Sequence, residues 1–183
     1  MRKAIISALA LATTAGVAAD TPPPSRAAQA AMLLVAADHD AASAKRSKRQ
    51  ALARTLDLFE RIGLRAELAE DAGVLKDWRV QAGASDRPVW RGRALGPAFR
   101  RGQLGPGQSV RIEQLFLAGQ QATVAVAAAE RQTVRLAVSG PGATPVCPST
   151  AADCRWQPVF TQRYAIDLHN PGPRPARYYL VTD

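Results

Sequence analysis

The spacing of apolar residues changes between the two halves of this chain, and this change limits the folds that it can adopt. Before about residue 80 the apolar positions recur at helical spacing, as in Leu52, Leu56, Phe59 and Ile62. Beyond about residue 110 they alternate with polar positions, as strands with one buried face do. The sequence therefore predicts an α+β protein whose helices precede its strands.

The helical half, Ser25 to about Val80, contains no proline and only two glycines. Ser25 is expected to cap a first helix that runs to about Ala37, and Asp40 to cap a second one. Gly63 is expected to end the second helix in the left-handed conformation. A third helical stretch follows, as one helix or as two short ones, and the simplest assembly is a small antiparallel bundle or hairpin.

Five strands are predicted in the second half, with turns rich in glycine and proline between them. Their alternation predicts one buried and one solvated face for each strand, in an antiparallel sandwich or barrel. The predicted strand cores are Val110, Ile112 and Gln114; Ala122, Val124, Val126 and Ala128; Val134, Leu136 and Val138; Tyr164, Ile166 and Leu168; and Tyr178, Leu180 and Thr182.

The N-terminus reads as a secretory signal peptide over residues 1–19. Arg2 and Lys3 precede an uncharged run, and small residues lie at the expected cleavage position after Ala19. The predicted location is periplasmic or secreted, and the mature chain contains no apolar run of the ~20 residues that a membrane span needs. Cleavage lowers the net charge from +9 to +7, because no acidic residue precedes Asp20.

Cys147 and Cys154 are the two cysteines of the chain. A close pair in an exported protein is expected to form a disulfide. A zinc site is the rival interpretation, but two thiols and two distant histidines do not provide its usual ligand spacing. The sequence predicts neither a metal site nor a cofactor.

The last ninety residues resemble a known module. The resemblance is carried by a Gly102-x-Leu104-x-Pro106-Gly107 turn, the Phe116–Gln120 segment, and the strand that ends at Asn170. This frame is similar to bacterial pre-peptidase C-terminal (PPC-type) domains, over about residues 94–183 only. The resemblance implies a jelly-roll-like β-sandwich that is usually a non-catalytic appendage. The expected organisation is signal peptide 1–19, helical region 20–80, linker 81–93 and β-sandwich 94–183.

Some relatives of this kind bind calcium through acidic residues near a strand end. In this chain the segment Arg131 to Arg135 precedes Leu136, at a place where such relatives commonly have acidic residues. The resemblance therefore does not imply a calcium site in this chain.

A dense basic cluster begins the second helix. It consists of Lys45, Arg46, Lys48, Arg49 and Arg54, and we refer to these five residues as the basic cluster. In an exported protein such a cluster favours an anionic glycan or lipid surface rather than nucleic acid. A solvated helix face without a ligand is the alternative interpretation.

Candidate catalytic chemistry is sparse. The chain has two histidines, His39 and His169, which could serve as bases at neutral pH. Asp167 and His169 share one face of a predicted strand. No serine lies in a nucleophile-elbow sequence, so no catalytic residue is predicted. The tryptophans Trp78, Trp90 and Trp156 are expected in core or interface positions, with Trp156 over the disulfide.

The sequence thus predicts an exported, non-enzymatic accessory or binding protein of the cell envelope or extracellular space. A secreted hydrolase or protease-associated factor is the alternative. A third hypothesis is a protein whose helices dock on another envelope protein, with Leu56, Phe59 or other apolar helix residues exposed.

Overall fold

Three helices lead the part of the chain that the structure, a computed structural model, describes: residues 23–83, 96–130, 132–147 and 152–183. They are α1 (Arg26–Ala41), α2 (Arg46–Ile62) and α3 (Ala69–Ala82). Ser25 caps α1 as predicted, since its hydroxyl accepts a hydrogen bond from the Ala28 backbone N–H at 2.9 Å. The predicted signal peptide and Trp90 lie outside the described residues.

The boundary between α1 and α2 differs from the prediction. Asp40 does not cap α2, because α1 continues through it to Ala41 and Lys45 precedes α2. The Asp40 carboxylate instead accepts a hydrogen bond from the Lys48 ammonium at 2.8 Å, which joins the end of α1 to the start of α2. Gly63 ends α2 with a φ of 70°, as predicted.

The third helix is continuous through Gly73, so the alternative of two short helices is wrong. A two-residue strand, β1 (Arg65–Ala66), separates it from α2. Trp78 on α3 is buried, in agreement with its predicted core position, and its ring lies 6.3 Å from that of Tyr179. None of the described helices combines the length and the apolar composition that crossing a bilayer requires.

Eight further strands follow in the described residues, and with β1 they form two sheets. They are β2 (Ala98–Leu104), β3 (Ser109–Phe116), β4 (Ala122–Ala128), β5 (Arg135–Ser139), β6 (Pro145–Cys147), β7 (Asp153–Trp156), β8 (Gln162–His169) and β9 (Ala176–Thr182). A five-stranded sheet has the order β1-β2-β9-β4-β7, and a four-stranded sheet has the order β3-β8-β5-β6. All pairs are antiparallel except β1 with β2. The predicted α+β class, with an N-terminal helical segment and an antiparallel sandwich, is confirmed.

The helices cover the outer face of the five-stranded sheet, which corrects the prediction of one solvated face per strand. Every residue from Ala122 to Val126 on β4 is buried, whichever way its side chain points. Ala125, Tyr179 and Val181 face the helices, whereas Val124 and Leu180 face the second sheet. The molecule therefore has three layers with two apolar cores, and the helical segment is not a separate bundle.

The five predicted strand cores fall in β3, β4, β5, β8 and β9, although Val134 directly precedes β5. Strands β1, β2, β6 and β7 were not predicted, and the residues of β1 were expected in the third helical stretch. In β2 the run Arg100-Arg101-Gly102 breaks the alternation, and β6 and β7 are only three and four residues long. The proposed boundaries at residues 80 and 94 stay a prediction, because most of the segment 81–93 lies outside the described residues.

Candidate binding surface

The predicted disulfide is present between Cys147 and Cys154, with Cα atoms 5.8 Å apart. Cys147 ends β6 of the four-stranded sheet, and Cys154 lies in β7 of the five-stranded sheet. The bridge therefore joins the edges of the two sheets at one side of the sandwich. It agrees with an oxidising location, periplasmic or secreted, since disulfides are rare in reducing compartments.

Asp153, next to the bridge, holds the start of α1. Its carboxylate accepts hydrogen bonds from the Ser25 hydroxyl at 2.7 Å and from the Ser25 backbone N–H at 2.9 Å. Arg155 donates a further hydrogen bond at 2.7 Å. Burial works to raise the pKa of Asp153, but the hydrogen bonds from Arg155 and Ser25 outweigh it and lower the pKa.

The basic cluster lies on the first turns of α2. Lys45, Arg46, Arg49 and Arg54 are exposed, and Lys48 is half-buried in its pair with Asp40. No side chain caps this helix start, where the helix dipole is positive. Cations at this end weaken the helix slightly, so local helix stability does not explain them. Their role in binding an anion stays a prediction.

The two histidines lie apart. His39 is exposed on α1, whereas His169 Nδ1 lies 3.0 Å from the Ser109 hydroxyl on the outer face of the four-stranded sheet. Asp167 does not orient this imidazole, because both of its oxygens accept hydrogen bonds from Arg111 at 2.7 and 3.0 Å. A serine nucleophile needs an imidazole that is itself oriented by a third group, and here that carboxylate is occupied.

A different surface stands out at one end of the sandwich. Four large apolar side chains are exposed there: Val159 by 77%, Phe160 by 70%, Leu115 by 50% and Leu117 by 49%. We call these four residues the apolar end patch. They come from the end of β3 and from the two loops that follow β3 and β7. Clusters of exposed apolar side chains of this kind mark interaction surfaces.

Hydrogen bonds hold the two loops side by side. The Gly119 backbone N–H donates to the Pro158 carbonyl at 2.9 Å, and the Ala118 N–H donates to the Thr161 hydroxyl at 3.0 Å. The Gln157 side-chain amide donates a third hydrogen bond between the loops, to the Gly119 carbonyl at 3.0 Å. The apolar side chains of both loops are therefore presented together.

Aromatic rings lie at this end of the sandwich core. The Trp156 ring is 4.8 Å from that of Phe116 and 5.2 Å from that of Tyr164. Trp156 is partly buried against the sandwich core, in agreement with its predicted core position. Its predicted place over the disulfide stays a prediction. Since Phe116 and Trp156 end the strands from which the two loops leave, the patch is attached to a packed base.

The patch differs in charge from the rest of this basic protein. Arg163 is the only charged residue in the segments 114–121 and 157–163, and it lies opposite Leu115 in the β3–β8 pairing. Glutamine supplies most of the remaining polar side chains: Gln114, Gln120, Gln121, Gln157 and Gln162.

The basic cluster lies at the other end of the sandwich. Arg177, at the start of β9, contacts Asp38 near the end of α1 at 3.3 Å and Glu130 beyond the end of β4 at 2.9 Å. Lys48 pairs with Asp40, so α2 also starts at that end. The apolar end patch lies where β4 begins and β9 ends. The apolar and the basic surfaces are therefore separated by the length of the strands.

Sequence reasoning missed the apolar end patch. Val159 and Phe160 lie between Pro158 and Thr161 in a gap between predicted strands, where they read as ordinary loop residues. A signal was available, because two large apolar residues in a turn have no strand face to fill. Leu56 and Phe59 are buried, but Met32, Leu58 and Val80 on the three helices are exposed by 51%, 37% and 72%. Docking through an apolar helix face therefore stays a prediction, although not through Leu56 or Phe59.

No family model matches the sequence, and no curated protein matches it. Among solved structures, the chain is similar to PliG, a periplasmic inhibitor of g-type lysozyme, from Aeromonas hydrophila. The identity is 16% and the TM-score 0.38, over 48% of this chain and 84% of that one. For PliG from Salmonella Typhimurium the identity is 10% and the TM-score 0.35, over 48% of this chain and 89% of that one. A de novo designed double-stranded β-helix matches at 13% identity and a TM-score of 0.31, over 46% of this chain and 97% of the designed one. These likenesses establish neither a family nor a function for this chain.

Proposed function

We propose that this is an exported, non-enzymatic binding protein that docks a partner protein through the apolar end patch. The observation that carries the proposal is the exposure of Val159 and Phe160 on two loops that are hydrogen-bonded together over a packed aromatic base. Exposing these side chains has a cost in water, which contact with a partner would remove.

The composition of the patch is that of a protein interface. Interface centres are depleted in acidic residues and lysine, and they are enriched in aromatic residues and arginine. Phe160 is suited to be the anchor that enters an apolar pocket, with the glutamines as a polar rim. Arg163 adds one positive charge beside Leu115, so the expected partner has an apolar pocket with a carboxylate at its edge.

A lipid surface fits this patch less well. Loops that enter an anionic bilayer profit from cations beside the apolar tips, since each adds about 1 kcal/mol near the surface. Here a single cation, Arg163, lies in the segments that form the patch, and the basic cluster lies at the opposite end of the sandwich. An anionic lipid or glycan therefore remains a proposal for the basic cluster alone.

A non-enzymatic role is also part of the proposal. It is supported by the pairing of Asp167 with Arg111, which takes this carboxylate away from His169. Relationship to the PPC-type domains is kept as a proposal and agrees with an accessory role. A secreted hydrolase remains the alternative, and turnover of an envelope substrate by the purified protein would favour it.

The test is site-specific crosslinking in intact cells. A photo-reactive amino acid replaces Phe160 in the exported protein, and the matched control replaces Gln103, which is also exposed but lies on β2. We expect a discrete protein adduct from position 160 and none from position 103. The partner from that adduct should then bind the purified protein, and Leu117→Asp with Val159→Asp should weaken its binding by at least about tenfold.

Three outcomes would overturn the proposal. One is the same adducts from both positions, and another is an adduct from position 160 that persists in the Leu117→Asp, Val159→Asp variant. The third is labelling of lipid alone, which would assign the patch to a membrane. Circular dichroism of the variant checks that its fold is intact.

A further inference from the structure

Among the strands that the structure describes, β3 is the longest one at an edge of the sandwich. Edge strands are commonly kept short, because an unpaired edge invites pairing with another chain. At three of the four edges the outermost strand is short, since β1, β6 and β7 have two, three and four residues. At the first of these edges β1 covers only Ala98 and Phe99, so five residues of β2 are left without a strand neighbour there. The fourth edge, β3, has eight residues, and within the described part of the chain it pairs with β8 alone.

The backbone groups that face this free edge follow from the ladder. The Asn170 N–H donates to the Gln108 carbonyl at 2.9 Å, so the even-numbered residues of β3 direct their backbone groups to β8. Ser109, Arg111, Glu113 and Leu115 therefore direct their N–H and C=O groups outward. The same four residues place their side chains on the exposed outer face of the four-stranded sheet.

The charged side chains on this edge of one copy are complementary to those on the same edge of a second copy. An added antiparallel copy of β3 in hydrogen-bonding register must place odd-numbered residues opposite odd-numbered ones. When Ile112 lies opposite its own copy, Arg111 of each chain faces Glu113 of the other. A shift of two residues in either direction places Arg111 opposite Arg111 or Glu113 opposite Glu113, and like charges in such positions are destabilising.

We infer that β3 is a homodimerisation edge, and that two copies of this chain join their four-stranded sheets across a two-fold axis at Ile112. Each half of the interface supplies the same Arg111–Glu113 cross-strand pair, as a closed two-fold contact requires. The pairing shares Leu115 with the apolar end patch but involves neither Leu117 nor the loop 157–161, and its Arg111–Glu113 pairs lie outside the patch. The inference therefore does not depend on the proposed function of the patch.

Sedimentation velocity of the purified exported protein, from micromolar concentrations up to the order of 1 mM, tests the inference. We expect a monomer–dimer equilibrium. Glu113→Arg should weaken the dimer by about tenfold, because it places arginine opposite arginine twice. Asp57→Arg is the matched control, since it makes the same change of charge at an exposed position on α2 and should leave the dimer unchanged.

Mixing two variants provides the decisive measurement. Arg111→Glu alone should also weaken the dimer, because glutamate then faces glutamate. An equal mixture of the Glu113→Arg and Arg111→Glu chains restores opposite charges at both positions, so it should dimerise at least about tenfold more tightly than either chain alone. Arg111 also holds Asp167 within its own chain, and circular dichroism checks that Arg111→Glu remains folded.

A protein that stays monomeric at every concentration would overturn the inference. So would a dimer that Glu113→Arg leaves intact, or a mixture that associates no better than its components. If Arg111→Glu does not fold, the comparison of Glu113→Arg with Asp57→Arg decides alone. Loss of the adduct at position 160 would leave all of these outcomes unchanged, so the two proposals fail independently.

Discussion

Asn170 shows how one buried polar side chain can organise a set of loops. Its amide nitrogen donates to the carbonyls of Leu104 at 3.1 Å, Gly105 at 3.0 Å and Arg174 at 2.8 Å. Its amide oxygen accepts from the Gly172 N–H at 2.9 Å. The side chain is fully buried, so these bonds replace water for four backbone groups at the end of the sandwich opposite the apolar end patch.

Asn170→Ala should therefore lower the free energy of unfolding by about 3 kcal/mol, because it leaves the buried Leu104 carbonyl and two half-buried carbonyls without this partner. Urea unfolding followed by circular dichroism measures this change. Gln157→Ala is the control, since Gln157 also donates to a loop carbonyl but is exposed, and its cost should stay within about 0.5 kcal/mol. Equal costs for the two variants would contradict this account of Asn170.

Asp71 is a buried carboxylate that local sequence did not single out. Burial raises its pKa, against the opposing effects of a hydrogen bond from the Arg101 N–H and of the Arg101 charge. These groups lie on α3 and β2, thirty positions apart, so their approach depends on the packing of that helix on the sheet. The sequence shows that position 71 is an aspartate, but it does not show that Arg101 lies beside it.

At the scale of elements, α2 combines a well-defined apolar face with a start that is unfavourably charged. Leu52, Leu56 and Phe59 are buried, as their spacing predicted. The exposed cations Lys45, Arg46 and Arg49 lie at the positive end of the helix dipole, where acidic residues would stabilise the helix. A binding role for them can therefore be separated from a structural one.

Reversal of charge at Lys45, Arg46, Lys48 and Arg49 should abolish binding of the protein to anionic phospholipid vesicles. The variant Lys45→Glu, Arg46→Glu, Arg49→Glu is sharper, because it keeps the pair between Lys48 and Asp40. It should lose binding while its thermal stability stays the same or rises. Vesicle cosedimentation and thermal unfolding are the measurements, and unchanged binding would reject the anion-binding prediction.

At the scale of the whole molecule, the disulfide and the helical layer hold the sandwich together in different ways. The bridge joins β6 to β7 across the two sheets, whereas the helices bury the outer face of one sheet. The bridge closes a short loop, since Cys147 and Cys154 are separated by seven positions.

Replacement of both cysteines by alanine should lower the free energy of unfolding by about 2.5 kcal/mol, as expected for a loop of this length. Urea unfolding of the variant is compared with that of the unmodified protein with and without a reducing agent. The variant and the reduced protein should unfold at similar urea concentrations, both below that of the oxidised protein. No difference between oxidised and reduced protein would contradict a stabilising role for the bridge.

The sequence by itself determined the order of helices and strands, the disulfide and most of the buried positions. These follow from the spacing of apolar residues, from caps such as Ser25, and from two cysteines close together in a chain with a predicted signal peptide. All of these signals act over short stretches of sequence. Only the tertiary structure decided that β4 is buried on both faces and that Val159 and Phe160 are exposed. Burial of a strand face or a loop depends on what packs against it from distant parts of the chain, and a local pattern carries no record of that packing.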